Sequence, residues 1–190
     1  MAALSAIGVA LSGDEQGKLI MDGRVVGIYL GPEARGPLAS VGEVRAEPGR
    51  GLEGDRYWKR QGTFWKPGPD REVTLVESEV LESLAAEAGI VIEGYEARRN
   101  LATRGVRLNN LVNRRFRVGE VTVVGIRLCE PCGHLERLTG HRLRTSLAGR
   151  GGLRAGIVTG GVIRVGDRIE VEPEATGTKQ ESGLATADGA

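Results

Sequence analysis

The chain has 190 residues, a formal net charge of +1, 30 glycines and only 4% aromatic residues. This length is most simply one domain, which can bury a core without disulfide staples. Two cysteines make no disulfide framework, no apolar run reaches the ~20 residues of a membrane span, and the small net charge gives no reason to expect nucleic acid as a partner. We therefore expect a cytoplasmic protein with free thiols.

Short β-branched runs between glycine turns dominate the chain. Residues 1–22 are predicted to be a flexible leader without the basic start of a secretory signal, and the polar residues 173–190 a disordered tail. The domain between them, residues 23–172, has strands predicted at 24–30, 40–44, 72–76, 115–118, 121–128, 156–159 and 168–171. This pattern is typical of a mainly β fold.

Two helices are predicted within this domain. The first runs from residue 79 to about residue 88, with Ser78 as its N-cap and Gly89 ending it in the left-handed conformation. Its apolar residues fall on one face, as expected for a helix that packs on a core. A second, short helix is predicted at 141–148.

Charge is divided between two neighbouring segments. Residues 72–96 carry seven glutamates and no lysine or arginine, whereas residues 97–128 carry eight arginines and one acidic residue, Glu120. The net charge of +1 therefore conceals a basic face. Arginine suits bidentate contacts with phosphate and other oxyanions.

Both cysteines lie in one segment, Cys129-Glu-Pro-Cys132-Gly-His134, directly after the strand predicted at 121–128. A Cys-x-x-Cys of this kind is a redox pair, half of a zinc site completed by His134 and His141, or one reactive thiol beside a structural one. The redox reading requires a βαβ setting that the sequence lacks, and the histidine spacing is unusual for zinc. We expect Cys129 to be a core residue and Cys132 to be exposed.

An earlier segment, Gly51-Leu-Glu-Gly-Asp55-Arg56, predicts a turn with unusual backbone angles. Asp55 either orients Arg56 towards an anion or forms an ordinary surface ion pair with it. The insert that follows, residues 58–69, groups both tryptophans and one of the two phenylalanines. We expect it to be a lid over a site or a loop anchored by its aromatic side chains.

Two later segments offer further anion-binding groups. In the first, Arg98, Arg99 and Asn100 supply two guanidinium groups and an amide for a phosphate or a heterocycle edge, unless they are solvated surface. In the second, residues 150–154, paired glycines precede Arg154. They either let the backbone approach an anion or simply connect a helix to a strand.

These segments, in this order, resemble the MOSC domain family (molybdenum cofactor sulfurase C-terminal domain). The resemblance rests on Gly-Leu-Glu-Gly-Asp-Arg56, Arg-Arg-Asn-Leu101, Val-Gly-Glu-Val121, Glu-Pro-Cys132, Arg-Gly-Gly-Leu-Arg-Ala155 and Gly-Asp167, and it covers most of residues 25–171. It implies a mainly β fold, a MOSC-type β-barrel (pyruvate-kinase-like β-barrel) with a few short helices.

The resemblance also implies a function. Cys132 matches the characteristic family cysteine, a proposed sulfur carrier or direct molybdenum ligand. Relatives fused to a cofactor sulfurase, or acting as molybdenum-dependent reductases, bind molybdopterin, and stand-alone bacterial members are described as sulfur carriers for metal–sulfur cluster assembly. We therefore expect molybdenum cofactor, an anionic ligand, to be handled at Cys132, with binding groups at Asp55, Arg56, Arg98, Arg99, Asn100, His134 and Arg154. The implied partner is a cysteine desulfurase or a redox protein.

The family label also carries pyridoxal phosphate. Binding it as a Schiff base needs a lysine, and residues 23–172 contain only Lys59 and Lys66, neither in a suitable context. We attribute that label to the fused sulfurases. Two alternatives to sulfur transfer stay open: a molybdenum-dependent reductase of N-hydroxylated compounds with Cys132 on the metal, and a non-catalytic cofactor-binding or carrier module.

Overall fold

The computed structural model describes residues 23–172, so the leader expected at 1–22 and the tail expected at 173–190 lie outside the described residues. The strands are β1 (Gly23–Leu30), β2 (Ala39–Val41), β3 (Glu43–Glu47), β4 (Gly51–Leu52), β5 (Val73–Glu77), β6 (Leu101–Arg104), β7 (Arg115–Val118), β8 (Val121–Leu128), β9 (Leu153–Thr159), β10 (Gly161–Arg164) and β11 (Arg168–Val171). The helices are α1 (Ser78–Ala88), α2 (Gly133–Thr139) and α3 (Leu143–Ser146), and short 3-10 turns cover Pro69–Arg71 and Leu108–Leu111.

Seven strands close into a barrel. Their order is β11-β7-β8-β9-β5-β6-β1, and β1 pairs with β11, with Gly23 opposite Ile169, to complete the ring. Neighbours in the barrel are antiparallel except β5 and β6, which run parallel because the segment containing α1 carries the chain back between them. β2 extends the sheet beside β1, and β10, β3 and β4 form a small second sheet. The mainly β barrel with short helices is confirmed.

The barrel interior holds the larger of two hydrophobic clusters. Val121 and Val123 alternate along β8 with partly exposed residues, as a strand with one buried face requires, and they pack with Phe116 in the interior. The second cluster joins the helices to the outside of the barrel, where Leu84 of α1 packs with Leu135 of α2. The segment between β8 and β9, which contains both cysteines, is held by this second cluster.

Strands with clear alternation of apolar and polar residues were predictable, and short strands without it were not. The strands predicted at 115–118, 121–128 and 168–171 coincide with β7, β8 and β11. The single strand predicted at 40–44 is wrong, because the chain bends at Gly42 and the two halves pair with different strands. β4, β6 and β10 were not predicted, since each has four residues or fewer and too little alternation to stand out.

The helix predictions were partly right. Gly89 ends α1 in the left-handed conformation, as predicted. The predicted Ser78 cap is wrong: Glu77 is the N-cap residue, no side chain caps the helix, and the Glu77 carboxylate instead accepts a hydrogen bond from Leu108 N at 2.9 Å. The helix predicted at 141–148 is the shorter α3, and α2 was not predicted. Within residues 23–172 no helix is long and apolar enough to cross a membrane.

Candidate functional site

A cleft forms where the segments after β4 and β8 meet the segment before β6. Its enclosed part is about 80 Å³, within an empty space of about 710 Å³ that includes the open mouth. Seven of the eight predicted site residues line it: Arg56, Arg98, Arg99, Asn100, Cys132, His134 and Arg154. The eighth, Asp55, lies behind them and is almost completely buried. The fold therefore brings together residues that are up to 99 positions apart in the sequence.

The two cysteines are free and differ in exposure, as predicted. Cys129 is buried, and its N–H donates to Gly152 O at 2.7 Å, whereas Cys132 is exposed and lines the cleft. The backbone of Cys132 caps α2, its carbonyl accepting from Glu136 N at 3.2 Å, while its side chain makes no capping bond. The helix thus begins after the second cysteine, and only that thiol is reachable.

The Asp55 carboxylate organises one wall of the cleft. It accepts hydrogen bonds from Gly31 N at 3.1 Å and Tyr57 N at 2.9 Å, and from Asn100 Nδ2 at 3.4 Å. It also pairs with Arg56 Nη1 at 3.1 Å, and both of these charged residues are buried. A buried carboxylate satisfied from several sides holds its partner in one geometry. Arg56 is therefore a fixed cation at the cleft wall.

Arg98 is a second cation beside Arg56. Its backbone has φ 60°, a left-handed conformation that is costly for a residue with a side chain, and its guanidinium donates to Gly36 O. Burial and then the charge of Arg56 lower the pKa of Arg98. Two guanidinium groups held this close repel each other, and a bound anion would relieve the repulsion.

Arg99 and Asn100 line the cleft but use their side chains within the protein. Arg99 is buried and donates to three backbone carbonyl groups, those of Gly151 at 2.9 Å, Ala97 at 3.0 Å and Cys129 at 2.7 Å. The Asn100 amide oxygen accepts from Thr74 N and Oγ1, and its Nδ2 donates to Tyr29 O and Asp55. Both residues therefore fix the positions of neighbouring segments, including the one that ends in Cys132.

Arg154 and Arg71 also line the cleft. Arg154 Nη1 donates to Asp70 O at 3.3 Å, and Arg71 Nε lies 3.6 Å from Asp70 Oδ1. The buried Nε atoms of Arg71 and Arg154 have no hydrogen-bond partner among the residues that the structure describes. These Nε atoms are closed to solvent, so what the two residues offer an anion in the cleft is the positive charge of their guanidinium groups.

His134 lines the same cleft as the Cys132 thiol and the arginine cluster. It is half-buried, and its ring meets the edge of Phe64 with centroids 5.3 Å apart. Burial, followed by the charges of Arg137, Arg35, Arg98 and Arg56, lowers the pKa of His134. The imidazole is therefore neutral at neutral pH and can accept a proton beside Cys132.

The paired glycines contact protein rather than open space. A Cβ on Gly151 would lie 2.7 Å from Cys129 O and 2.9 Å from Pro131 Cδ, and one on Gly152, where φ is 111°, would lie 2.1 Å from Leu75 O. Only glycine allows this close approach. The pair thus holds the cysteine segment against β5, in a way that neither interpretation of the sequence had described.

Comparison with known proteins identifies the family. The profile of the MOSC domain matches residues 65–170, more than half of the chain. The chain belongs to the MOSC domain family. Comparison with curated proteins gives no match.

Solved structures with this MOSC fold include three from bacteria. The YuaD protein from Bacillus subtilis is 18% identical with a TM-score of 0.66, over 78% of this chain and 94% of that one. YiiM from Geobacillus stearothermophilus is 15% identical with a TM-score of 0.64, over 82% and 77% of the two chains. YiiM from Escherichia coli is 21% identical with a TM-score of 0.60, over 79% and 70%. These likenesses establish the fold.

Several residues of this MOSC cleft were not predicted as site residues. They are Tyr57, Thr63, Phe64, Arg71, Thr74, Cys129, Glu130 and Leu135. Thr63 and Phe64 belong to the insert at 58–69, so the insert does border the cleft as expected of a lid. The available signal was its clustering of aromatic residues. Arg71 carried no such signal, because nothing local distinguishes it from other surface arginines.

Proposed function

We propose that this MOSC domain binds molybdenum cofactor in the cleft and handles sulfur through Cys132. The observation that carries the proposal is the joint placement of one exposed thiol with a cluster of arginines. Arg56 and Arg98 repel each other, and Arg71 and Arg154 add two more positive charges to the lining of the cleft. An arrangement of this kind is stabilised by a bound anion.

The residues fit the two ends of molybdopterin. Its phosphate would be held by Arg56, Arg98 and Arg154, which offer several N–H groups and positive charge. As a thiolate, Cys132 would supply a soft ligand to molybdenum carried on the dithiolene. Within residues 23–172 no three His, Cys, Asp or Glu side chains come together as a metal site of the protein alone.

The sulfur chemistry follows from thiolate reactivity. His134 accepts the proton of Cys132, and the thiolate attacks the outer sulfur of a persulfide on a donor protein. The bond between the donor's two sulfur atoms breaks, the donor cysteine leaves as a thiolate, and Cys132 carries the persulfide. A cysteine desulfurase is the class of partner that supplies such a group. The two free thiols suit the reducing cytoplasm, where we place this reaction.

The test replaces each of the two cysteines by serine in turn. The wild type, Cys132→Ser and Cys129→Ser are purified from a host that makes molybdopterin, and bound molybdenum, pterin and persulfide are measured by elemental analysis, fluorescence and intact mass. We expect the wild type and Cys129→Ser to carry cofactor or persulfide. Cys132→Ser should lose molybdenum and persulfide while keeping pterin.

A matched pair of arginine variants tests the anion site. Arg98→Gln should lower the pterin content, whereas Arg117→Gln, on the exposed face of β7, should leave it unchanged. If neither metal, pterin nor persulfide is found on the wild type, and Cys132→Ser is indistinguishable from it, the proposed function is wrong.

A second function is favoured by the exposure of Cys132. Cys132 would hold a cofactor-bound molybdenum from the exposed side of the cleft, where a substrate could reach it, as a reductase of N-hydroxylated compounds would require. That function needs electrons from a redox partner protein. Stoichiometric molybdenum without persulfide, together with reduction of an N-hydroxylated compound, would favour it over sulfur transfer. Pterin binding without either chemistry would indicate a carrier module.

A further inference from the structure

A second cavity of about 200 Å³ adjoins the cleft and shares Tyr57 and Arg71 with it. We propose that this cavity, the aromatic pocket, binds a planar aromatic ring that carries a phosphate group, the chemistry of a nucleoside monophosphate. The aromatic pocket is defined by Tyr57, Trp58, Trp65, Arg50, Arg60 and Lys66. The proposal does not rest on the function proposed for Cys132, since the thiol lines only the neighbouring cleft.

The placement of the aromatic residues is the first support. The chain has seven aromatic residues, and four of them, Tyr57, Trp58, Phe64 and Trp65, lie within nine positions. Neither tryptophan belongs to the two hydrophobic clusters of the described residues, and Trp65 is 36% exposed. Large aromatic side chains usually contribute most to the stability of a fold when they are buried in its core. Here they form the wall of a surface cavity, which is where a ring-shaped ligand can stack.

The backbone of the insert is held without the tryptophans. Arg60 N donates to Tyr57 O at 3.0 Å, Gln61 N to Arg56 O at 2.8 Å, and Trp65 N to Gly62 O at 2.9 Å. Gly62 lies directly on the Tyr57 ring, where a Cβ would come within 2.6 Å of Cζ. These contacts fix the loop locally. The indole groups are therefore not the only anchors of the insert, and the 36% exposed Trp65 ring is accessible to a ligand.

The charge of the aromatic pocket selects the class of ligand. Arg50 lies over the Trp58 ring at 3.8 Å, Arg60 lies 5.8 Å from the Trp65 centroid, and Lys66 and Arg71 add two more positive charges. The one acidic residue lining the pocket is Glu72, whose carboxylate accepts from Ile157 N at 2.7 Å. A site in which aromatic rings surround a cation is not expected to carry several positive charges of its own. An aromatic ring that carries a negative group can stack on the indole rings and pair with the arginines.

The size of the pocket limits how much of a ligand it encloses. A volume of about 200 Å³ is below the range of pockets that surround a complete drug-sized molecule. It suits a single ring system, with the phosphate left near the exposed cations at the rim. The arrangement favours stacking and charge over recognition of one particular base, because indole faces accept any planar ring.

Intrinsic fluorescence provides a direct test, because both tryptophans of the chain line this pocket. The full chain is titrated with AMP, GMP, CMP and UMP, with adenosine, and with inorganic phosphate, each corrected for absorbance with free tryptophan. We expect saturable quenching by the monophosphates, and binding weaker by about tenfold or more for adenosine and for phosphate alone. Equilibrium dialysis of labelled AMP measures the same affinity without fluorescence.

Variants separate the pocket from the rest of the surface. Arg60→Gln combined with Lys66→Gln should weaken AMP binding by about tenfold, and Arg117→Gln, which removes one exposed positive charge elsewhere, should leave it unchanged. Cys132→Ser should bind AMP as the wild type does, which distinguishes this pocket from the thiol cleft. The proposal would be overturned if neither method detects saturable binding of AMP to the wild type. It would also be overturned if the double variant and Arg117→Gln bind AMP with equal affinity.

Discussion

At the scale of single residues, His134 is the group whose properties depend most on what occupies the cleft. Its imidazole faces the charges of Arg137, Arg35, Arg98 and Arg56, which together with burial keep it neutral. Its neutral state is therefore set by the same cations that would hold an anionic ligand. A ligand that compensates these charges must also change the basicity of the histidine beside the thiol.

This coupling predicts a response of His134 to anions. Its pKa in the free protein lies below the ordinary value of 6.5, and a divalent anion in the cleft should raise it, because the added negative charge stabilises imidazolium. The measurement is an NMR titration of the histidine signals in sulfate and in chloride at equal ionic strength, with His141 as the internal control. Identical His134 midpoints in the two salts would show that no anion binds beside it.

The roles of some single residues could be predicted from the sequence and those of others could not. Cys132 was predictable because cysteines are few and their position after a strand is informative. The difference between Arg98 and Arg99 was not, since adjacent arginines look alike in sequence. In the fold one has a left-handed backbone beside Arg56, and the other donates to three carbonyl groups. Such a division depends on contacts with residues far away in the sequence, such as Gly36 for Arg98 and Gly151 for Arg99.

At the scale of elements, the acidic and basic segments neutralise each other. Glu82 of α1 pairs with Arg104 of β6, and Glu77 at the end of β5 lies 3.5 Å from Arg107. Two of the eight arginines of the basic segment are thus paired where the two segments meet, whereas Arg98 and Arg99 lie at the cleft. Sequence composition correctly revealed the two segments, but their pairing follows from the parallel arrangement of β5 and β6.

The glycines before β9 predict that the stability of the fold depends strongly on the junction where the cysteine segment meets β5. Gly152→Ala forces a Cβ to within 2.1 Å of Leu75 O at a φ of 111°, whereas Gly149→Ala, at a φ of 70°, meets nothing within 4 Å. We expect losses in the free energy of unfolding of about 1 kcal/mol for Gly149→Ala and at least about 3 kcal/mol for Gly152→Ala. Urea denaturation measures both.

Gly149→Ala is the control for backbone strain. Gly149 and Gly152 both have positive φ, so both variants are strained, and the clash with Leu75 O of β5 occurs only in Gly152→Ala. Equal losses would mean that the junction relaxes freely and that the glycines do not fix the cysteine segment.

At the scale of the whole molecule, Asp70 connects the barrel to the wall of the cleft. Burial alone would raise its pKa, but a hydrogen bond from Arg127 and the charges of Arg71, Arg127 and Arg154 outweigh burial and lower the pKa. A carboxyl group whose pKa is depressed by folding stabilises the protein above its unfolded pKa, and this contribution is lost as pH falls through the folded value.

Asp70→Asn should therefore destabilise the protein at neutral pH and matter less in acid. The ordinary pKa of the group is 3.8, and the difference between wild type and variant should shrink progressively as pH falls below that value. Urea denaturation of both proteins along a pH series measures it. A difference that stays constant across the series would show that Asp70 acts through neutral hydrogen bonds alone.

The architecture as a whole was predictable to the level of a β-barrel with short helices. Alternating strands such as β8 and the ordered family motifs both indicated it. The second sheet was not, because short strands such as β4 and β10 become strands only through their partners. Local sequence specifies a long strand well, but it says little about a residue pair whose hydrogen bonds come from distant segments.

The pairing of β1 with β11 has a consequence for biosynthesis. Gly23 and Ile169 are partners at the two ends of the described chain, so the ring stays open until nearly all of the domain has left the ribosome. Contacts of such long sequence separation slow folding, and the waiting edge of β1 is open to wrong pairing in the meantime. Nascent chains stalled before residue 168 should thus remain protease-sensitive, and release of the last strand should bring protection of the whole barrel at once.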